Sequence, residues 1–285
     1  MSRPVSLVLS SGGARGIAHI GVIEVLEEHG YEIVSIAVAS MGEMVGGMYD
    51  EGIFNMFKDW LCSITIKEMI RLVDFTFSMD GFIKGNKVIN EIEKMIPDRN
   101  IEELRIPFVA VSTDVINNKE IIHDKGSLLN AIRGSISIPS VFKPLQSEGT
   151  FLIDGGILNP LPINHVKRTG NDILVAVNVG SYQHTGNKKK DNSNLRKKDT
   201  AKIFSNSFVP ANNAQKPSHL NLANKSIALM LNRISELTVE KYNPELVINI
   251  DHDVFGTYEF YKAEEIIELG RSVAEEKIKA YEFRI

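Results

Sequence analysis

Apolar residues in this chain gather into short, β-branched runs separated by stretches of helical period. Residues 5–9, 33–39 and 108–113 read as buried strands, and 151–154, 173–178 and 246–250 follow in the same style. Residues 17–29 read as a helix with Ile17, Ile20, Ile23 and Leu26 along one face and Gly30 as its stop. Residues 43–49 give a second helix. Residues 263–281 give a closing one, rich in Glu, with Ile266, Ile267, Val273, Ala274 and Ile278 as its apolar positions. Alternating strands and helices predict a three-layer α/β/α fold with a mostly parallel central sheet. No internal repeat interrupts the pattern, and one domain over residues 1–285 is expected.

Two regions depart from it. Residues 53–79 are crowded with large apolar side chains, among them Phe54, Phe57, Trp60, Ile66, Ile70, Phe75 and Phe77. They read either as core helices or as an apolar cap that accepts acyl chains. Residues 182–219 are polar and carry Lys188-Lys189-Lys190 and Arg196-Lys197-Lys198. That composition predicts a mobile surface insertion, either merely solvated or in contact with anionic headgroups.

Composition narrows the class. Hydrophobic residues make up 43% of the 285, enough for a sizeable core. A formal charge of −4 argues against nucleic acid as a partner. Cys62 is the sole cysteine, which excludes an intrachain disulfide and a cysteine-rich metal site. The first apolar run is too short for a signal peptide, and no run has transmembrane length. A cytoplasmic protein is expected, with peripheral membrane contact left open.

The candidate chemistry lies at strand ends. Ser40 stands where the run 33–39 turns directly into a helix, the outline of a nucleophile elbow. The first strand ends in the glycine-rich turn Ser11-Gly12-Gly13-Ala14-Arg15-Gly16, whose amides could receive an anion. Asp154 ends another strand before Gly155-Gly156 and is the best base for the serine. A dinucleotide fingerprint does not fit, since its first glycine is Ser11 and the acid expected after the second strand is missing. His165 or His252 would complete a Ser-acid-His order, yet no histidine has a distinctive setting. No zinc pattern is present, and no cofactor is expected.

Taken together, the turn at 12–16, the elbow Ala39-Ser40-Met41-Gly42 and Asp154-Gly155-Gly156 resemble the patatin-like phospholipases. Residues 131–139 resemble the segment those proteins carry before the aspartate, and the likeness extends over about residues 5–178. The resemblance implies a Ser-Asp dyad acyl hydrolase of phospholipids or other lipids, working without a metal. In that scheme Ser40 is the nucleophile and Asp154 the base. Gly12, Gly13 and Ala14 form the oxyanion hole, and Arg15, Gly16, Gly42, Gly155 and Gly156 support them. Two departures stand out. Val38 replaces the leading glycine of the elbow and should crowd it, and Glu43 should add negative charge near a developing oxyanion. They motivate an alternative, a catalytically weak member that binds lipid or a protein partner.

Overall fold

The computed structural model describes residues 3–50, 52–72, 86–95, 98–137, 144–147, 149–182 and 219–284. Eight strands share one sheet: β1 (Arg3–Leu9), β2 (Tyr31–Ala39), β3 (Phe108–Asp114), β4 (Lys119–His123), β5 (Leu145–Ser147), β6 (Thr150–Asp154), β7 (Ile173–Ser181) and β8 (Leu246–Asp251). Their order is β5-β6-β3-β2-β1-β7-β8, with β4 paired to β3 beside that path. The five strands from β3 to β8 in that order run parallel. The other three are antiparallel to their neighbours. The strand at 151–154, expected in the same style as the rest, therefore runs the opposite way, and this reversal builds the site.

Helices cover both faces, unequally. Strand residues alternate, so Val5, Leu7 and Leu9 enter the larger core while Val8 enters a smaller one. The larger core is closed by α1 (Ala18–Glu28), α2 (Met41–Asp50), α3 (Phe54–Ser63), a short surface helix α4 (Ile66–Leu72), α5 (Asn86–Met95), α6 (Leu128–Ser135) and the C-terminal helix. On the smaller side lie Leu161, Ile163 and Val239, the last from α7 (His219–Tyr242). The closing helix α8 (Ala263–Glu282) crosses α1 at backbone contact. A side chain on Gly21 would overlap the Ile267 carbonyl, and one on Gly270 the Ala18 carbonyl. Small residues at that crossing let two helices approach closely and bury Ile20, Ile23, Ile266 and Ala274.

The apolar stretch 53–79 divides. Phe57, Leu61 and Ile64 are buried with the core, whereas Ile66 and Ile70 are exposed. Phe75 and Phe77 lie outside the described residues, as do 183–218 of the polar segment. Among the described residues no helix is long and apolar enough to cross a membrane.

Candidate active site

The ladder on β3 explains how Ser40 and Asp154 meet. β2 runs parallel to β3 and its last pair is Ala39 with Val111. β6 runs antiparallel and its last pair is Asp154 with Ser112. β4 occupies Ala110–Asp114 from the other edge. A strand has only two edges, so β2 and β6 share one and point at each other. Ser40 is the first residue past β2, and its Oγ donates to Asp154 Oδ2 at 2.6 Å, with both residues buried.

The serine sits in a strained backbone, φ 55°, which a non-glycine residue adopts only when its surroundings hold it there. Three contacts do so. The Ser40 amide donates to Ser135 Oγ at 2.8 Å, and that hydroxyl donates to the Val111 carbonyl at 3.1 Å. The Ser40 carbonyl accepts from the Glu43 amide at 2.9 Å as α2 begins. Ser135 lies in the stretch singled out before the aspartate, but nothing in its spacing announces this bridge.

Asp154 is held as tightly. Its Oδ1 accepts from the Gly156 amide at 2.7 Å, and its own amide donates to the Ser137 carbonyl at 3.1 Å. Burial pushes its carboxyl up to about 6, with the hydrogen bonds from Ser40 and Gly156 pulling the other way. A Cβ on Gly156 would lie 2.6 Å from Ser11 Cβ, so the aspartate loop rests directly on the glycine turn.

Within that turn Gly13 has φ 56°, and neither the Gly12 nor the Gly13 amide has an acceptor among the described residues. Ala14 differs from expectation: its amide already donates to the Thr257 carbonyl at 2.8 Å. The cause is a loop after β8 that clamps the turn. Arg15 Nη1 reaches the Phe255 carbonyl at 3.0 Å and Thr257 Oγ1 at 3.3 Å. His19 braces the other end, its Nε2 donating to the Ser10 carbonyl at 2.9 Å, and burial lowers its pKa to about 4. Thr257 gave no signal in the sequence, because its backbone carbonyl makes the contact to Ala14.

Both departures from the elbow pattern are absorbed. Val38 is fully buried, and the space it needs comes from Gly46 one turn into α2, where a Cβ would stand 3.0 Å from Val38 Cγ1. Gly42 keeps the tight approach to β1, where a Cβ would lie 2.6 Å from the Leu9 carbonyl oxygen. Glu43 is fully buried and its oxygens find no partner of hydrogen-bond geometry. Burial holds its carboxyl well above the usual range, the Ser135 hydroxyl offsetting part of this and the nearby Asp154 adding to it. The structure therefore places the Glu43 carboxyl where burial disfavours its negative charge.

Histidines bond elsewhere. His165 Nε2 meets Glu120 Oε2 at 2.9 Å, and His252 Nδ1 meets Asp253 Oδ1 at 3.2 Å. Residues 7–167, which carry all three motifs, match the family model described as Patatin-like phospholipase. The chain belongs to the patatin-like phospholipase family. An uncharacterized NTE family protein of Mycobacterium tuberculosis is 30% identical over 331 aligned positions, spanning 98% of this chain and 92% of that protein. The lysophospholipase NTE1 of Debaryomyces hansenii is 30% identical over 98% of this chain, which corresponds to 18% of that longer protein. VipD from Legionella pneumophila superposes with a TM-score of 0.44 at 13% identity, over 97% of this chain and 67% of its own. Within this patatin-like chain, Ser40, Asp154 and the glycine turn all fall inside the matched span, whereas Thr257 falls beyond it.

Proposed function

We propose that this patatin-like protein is a serine hydrolase of lipid acyl esters, a single catalytic domain acting through Ser40 and Asp154. The observation that carries the reading is the buried 2.6 Å hydrogen bond between Ser40 Oγ, on its strained turn, and Asp154 Oδ2. Ser40 Oγ attacks the ester carbonyl as Asp154 takes its proton. The unengaged amides of Gly12 and Gly13 receive the oxyanion, an interaction worth about 3 kcal/mol for one donor. Collapse expels the alcohol, which leaves with the proton from Asp154. Water then attacks the acyl-Ser40 ester as Asp154 takes its proton, and Asp154 returns that proton to Ser40 Oγ as the fatty acid leaves. The lysophospholipase relatives support a glycerophospholipid or lysophospholipid as substrate class.

A fluorophosphonate probe tests the reading. We expect one adduct, located on Ser40 by mass spectrometry, absent from Ser40→Ala and strongly slowed in Asp154→Asn. Full labelling of folded Ser40→Ala would assign the chemistry to another residue.

A further inference from the structure

A second polar cluster stands at the same end of the sheet, across the glycine turn from the dyad. β2, β1, β7 and β8 are neighbours running parallel, so the residues that leave them lie side by side. Ser40 leaves β2, the glycine turn leaves β1, Tyr182 leaves β7 and His252 leaves β8. Two strand spacings, about 10 Å, separate the lines of Ser40 and Tyr182.

The cluster is built from Arg15, Tyr182, Lys225 and His252. The Tyr182 and His252 ring centres lie 4.6 Å apart, the planes tilted by 32°. Lys225 Nζ sits 3.9 Å from the centre of the Tyr182 ring, and, against desolvation, the nearby phenol helps to raise the Lys225 pKa. Arg15 is buried at the base, close enough for its charge to lower the pKa of His252, after burial itself. Two donors in the cluster are sealed from water and lack a partner among the described residues: Arg15 Nε and the Tyr182 hydroxyl. Buried donors without acceptors are destabilising, and each calls for an explanation. Among the described residues Asp253 is the one carboxylate in contact, 3.4 Å from Lys225 Nζ and 3.2 Å from His252 Nδ1. It neutralises one of the two fixed positive charges and leaves the other. Lys225 is 46% exposed at its side chain.

We propose that Arg15, Tyr182, Lys225 and His252 form a subsite for the phosphate of a glycerophospholipid headgroup. The inference rests on the ester-hydrolase reading for its substrate and deepens it. The orphaned Arg15 Nε–H and Tyr182 hydroxyl donate to phosphate oxygens, Lys225 supplies a mobile charge, and His252 gains a partner that favours its protonated form. The offset from Ser40 suits a substrate whose ester and phosphate are joined through glycerol. Lys225, Tyr182 and His252 lie beyond the residues matched by the family model, whereas Arg15 lies within them.

Two measurements test it. The first compares kcat/KM for a lysophospholipid and for a neutral monoacylglycerol of equal chain length, in wild type, Lys225→Gln and Tyr182→Phe. We expect the preference for the phosphate-bearing ester to fall about tenfold in each variant, through KM, as for loss of one charge-assisted hydrogen bond. An unchanged ratio, or an equal fall with both esters, overturns the subsite. The second follows the His252 ring by NMR in folded Ser40→Ala while glycerol 3-phosphate or inorganic phosphate is added. We expect glycerol 3-phosphate to raise the His252 pKa, and no shift overturns the proposal. A larger shift with inorganic phosphate would make this a free-anion site and overturn the headgroup assignment. A shift with glycerol 3-phosphate in a protein that cleaves neither ester would remove the hydrolase reading and leave the subsite standing.

Discussion

Asp154 stands in an environment that disfavours its charge, and this is the clearest tension at the scale of single residues. Among the described residues two hydrogen bonds, from Ser40 and Gly156, meet its oxygens. With its pKa pushed up to about 6, keeping the carboxylate ionised at neutral pH costs about 3 kcal/mol relative to the unfolded chain. The sign follows from proton binding. Between the unfolded and folded values the native state holds the extra proton, so this contribution to stability falls as pH rises through that window. Catalysis needs the opposite state, so ester turnover should rise with pH to a plateau above about 6. Asp154→Asn removes the cost and the base together. It should lose turnover and melt about 5 °C higher than wild type at pH 8 by calorimetry. A variant that melts lower there would refute the account of a strained carboxylate.

Among elements, the decisive joint is between α6 and the end of β2. Ser135, last residue of α6, ties the Ser40 amide to the Val111 carbonyl of β3. It therefore fixes the strained turn from outside the elbow itself. Ser135→Ala leaves a buried amide without an acceptor, at a cost of about 1–3 kcal/mol. We expect that loss in chemical denaturation, with kcat reduced at least tenfold and KM little changed, because the nucleophile's aim is altered and the binding surface is not. Wild-type kcat in Ser135→Ala would show that the elbow holds its own geometry. The clamp from the loop after β8 acts likewise on the glycine turn, through Thr257 and the buried Arg15, whose pKa burial lowers to about 10.

Across the whole molecule, the first and last segments are fastened together at the end of the sheet remote from the site. His29 closes α1 and bonds both Glu275 and Glu282 of α8 at 3.0 Å. Arg3 and the Tyr31 hydroxyl join the same Glu282 carboxylate. Burial opposes a charge on His29, yet the two carboxylates outweigh it and raise its pKa above the ordinary value. Such a group stabilises fully below its unfolded pKa and loses that contribution as pH rises through the folded one. Melting temperature should therefore decline from pH 6 to pH 8, and His29→Gln should flatten the part of the decline that protects α8 in hydrogen exchange. An identical slope in the variant would place the pH response elsewhere.

By itself the sequence determined the strand–helix alternation, the strands β1, β2, β3, β7 and β8 of a mostly parallel sheet, and the placing of the three segments at strand ends. Each of those is written locally: β-branched runs, a helical stripe closed by Gly30 with φ 76°, a glycine turn, a serine between strand and helix. Periodicity did not announce β4, β5 or the long helix α7, whose Leu222, Ile227, Leu229 and Met230 face solvent and trace no buried stripe. Only the tertiary structure decided that β6 runs backwards, that Ala14 is engaged, that Glu43 is buried and that Gly46 makes room for Val38. Strand direction, amide commitment and carboxyl charge all depend on what the rest of the chain brings alongside. For the strand, the amide and the valine the deciding partner, Ser112, Thr257 or Gly46, stands on another element, and folding alone sets it within hydrogen-bond or van der Waals reach.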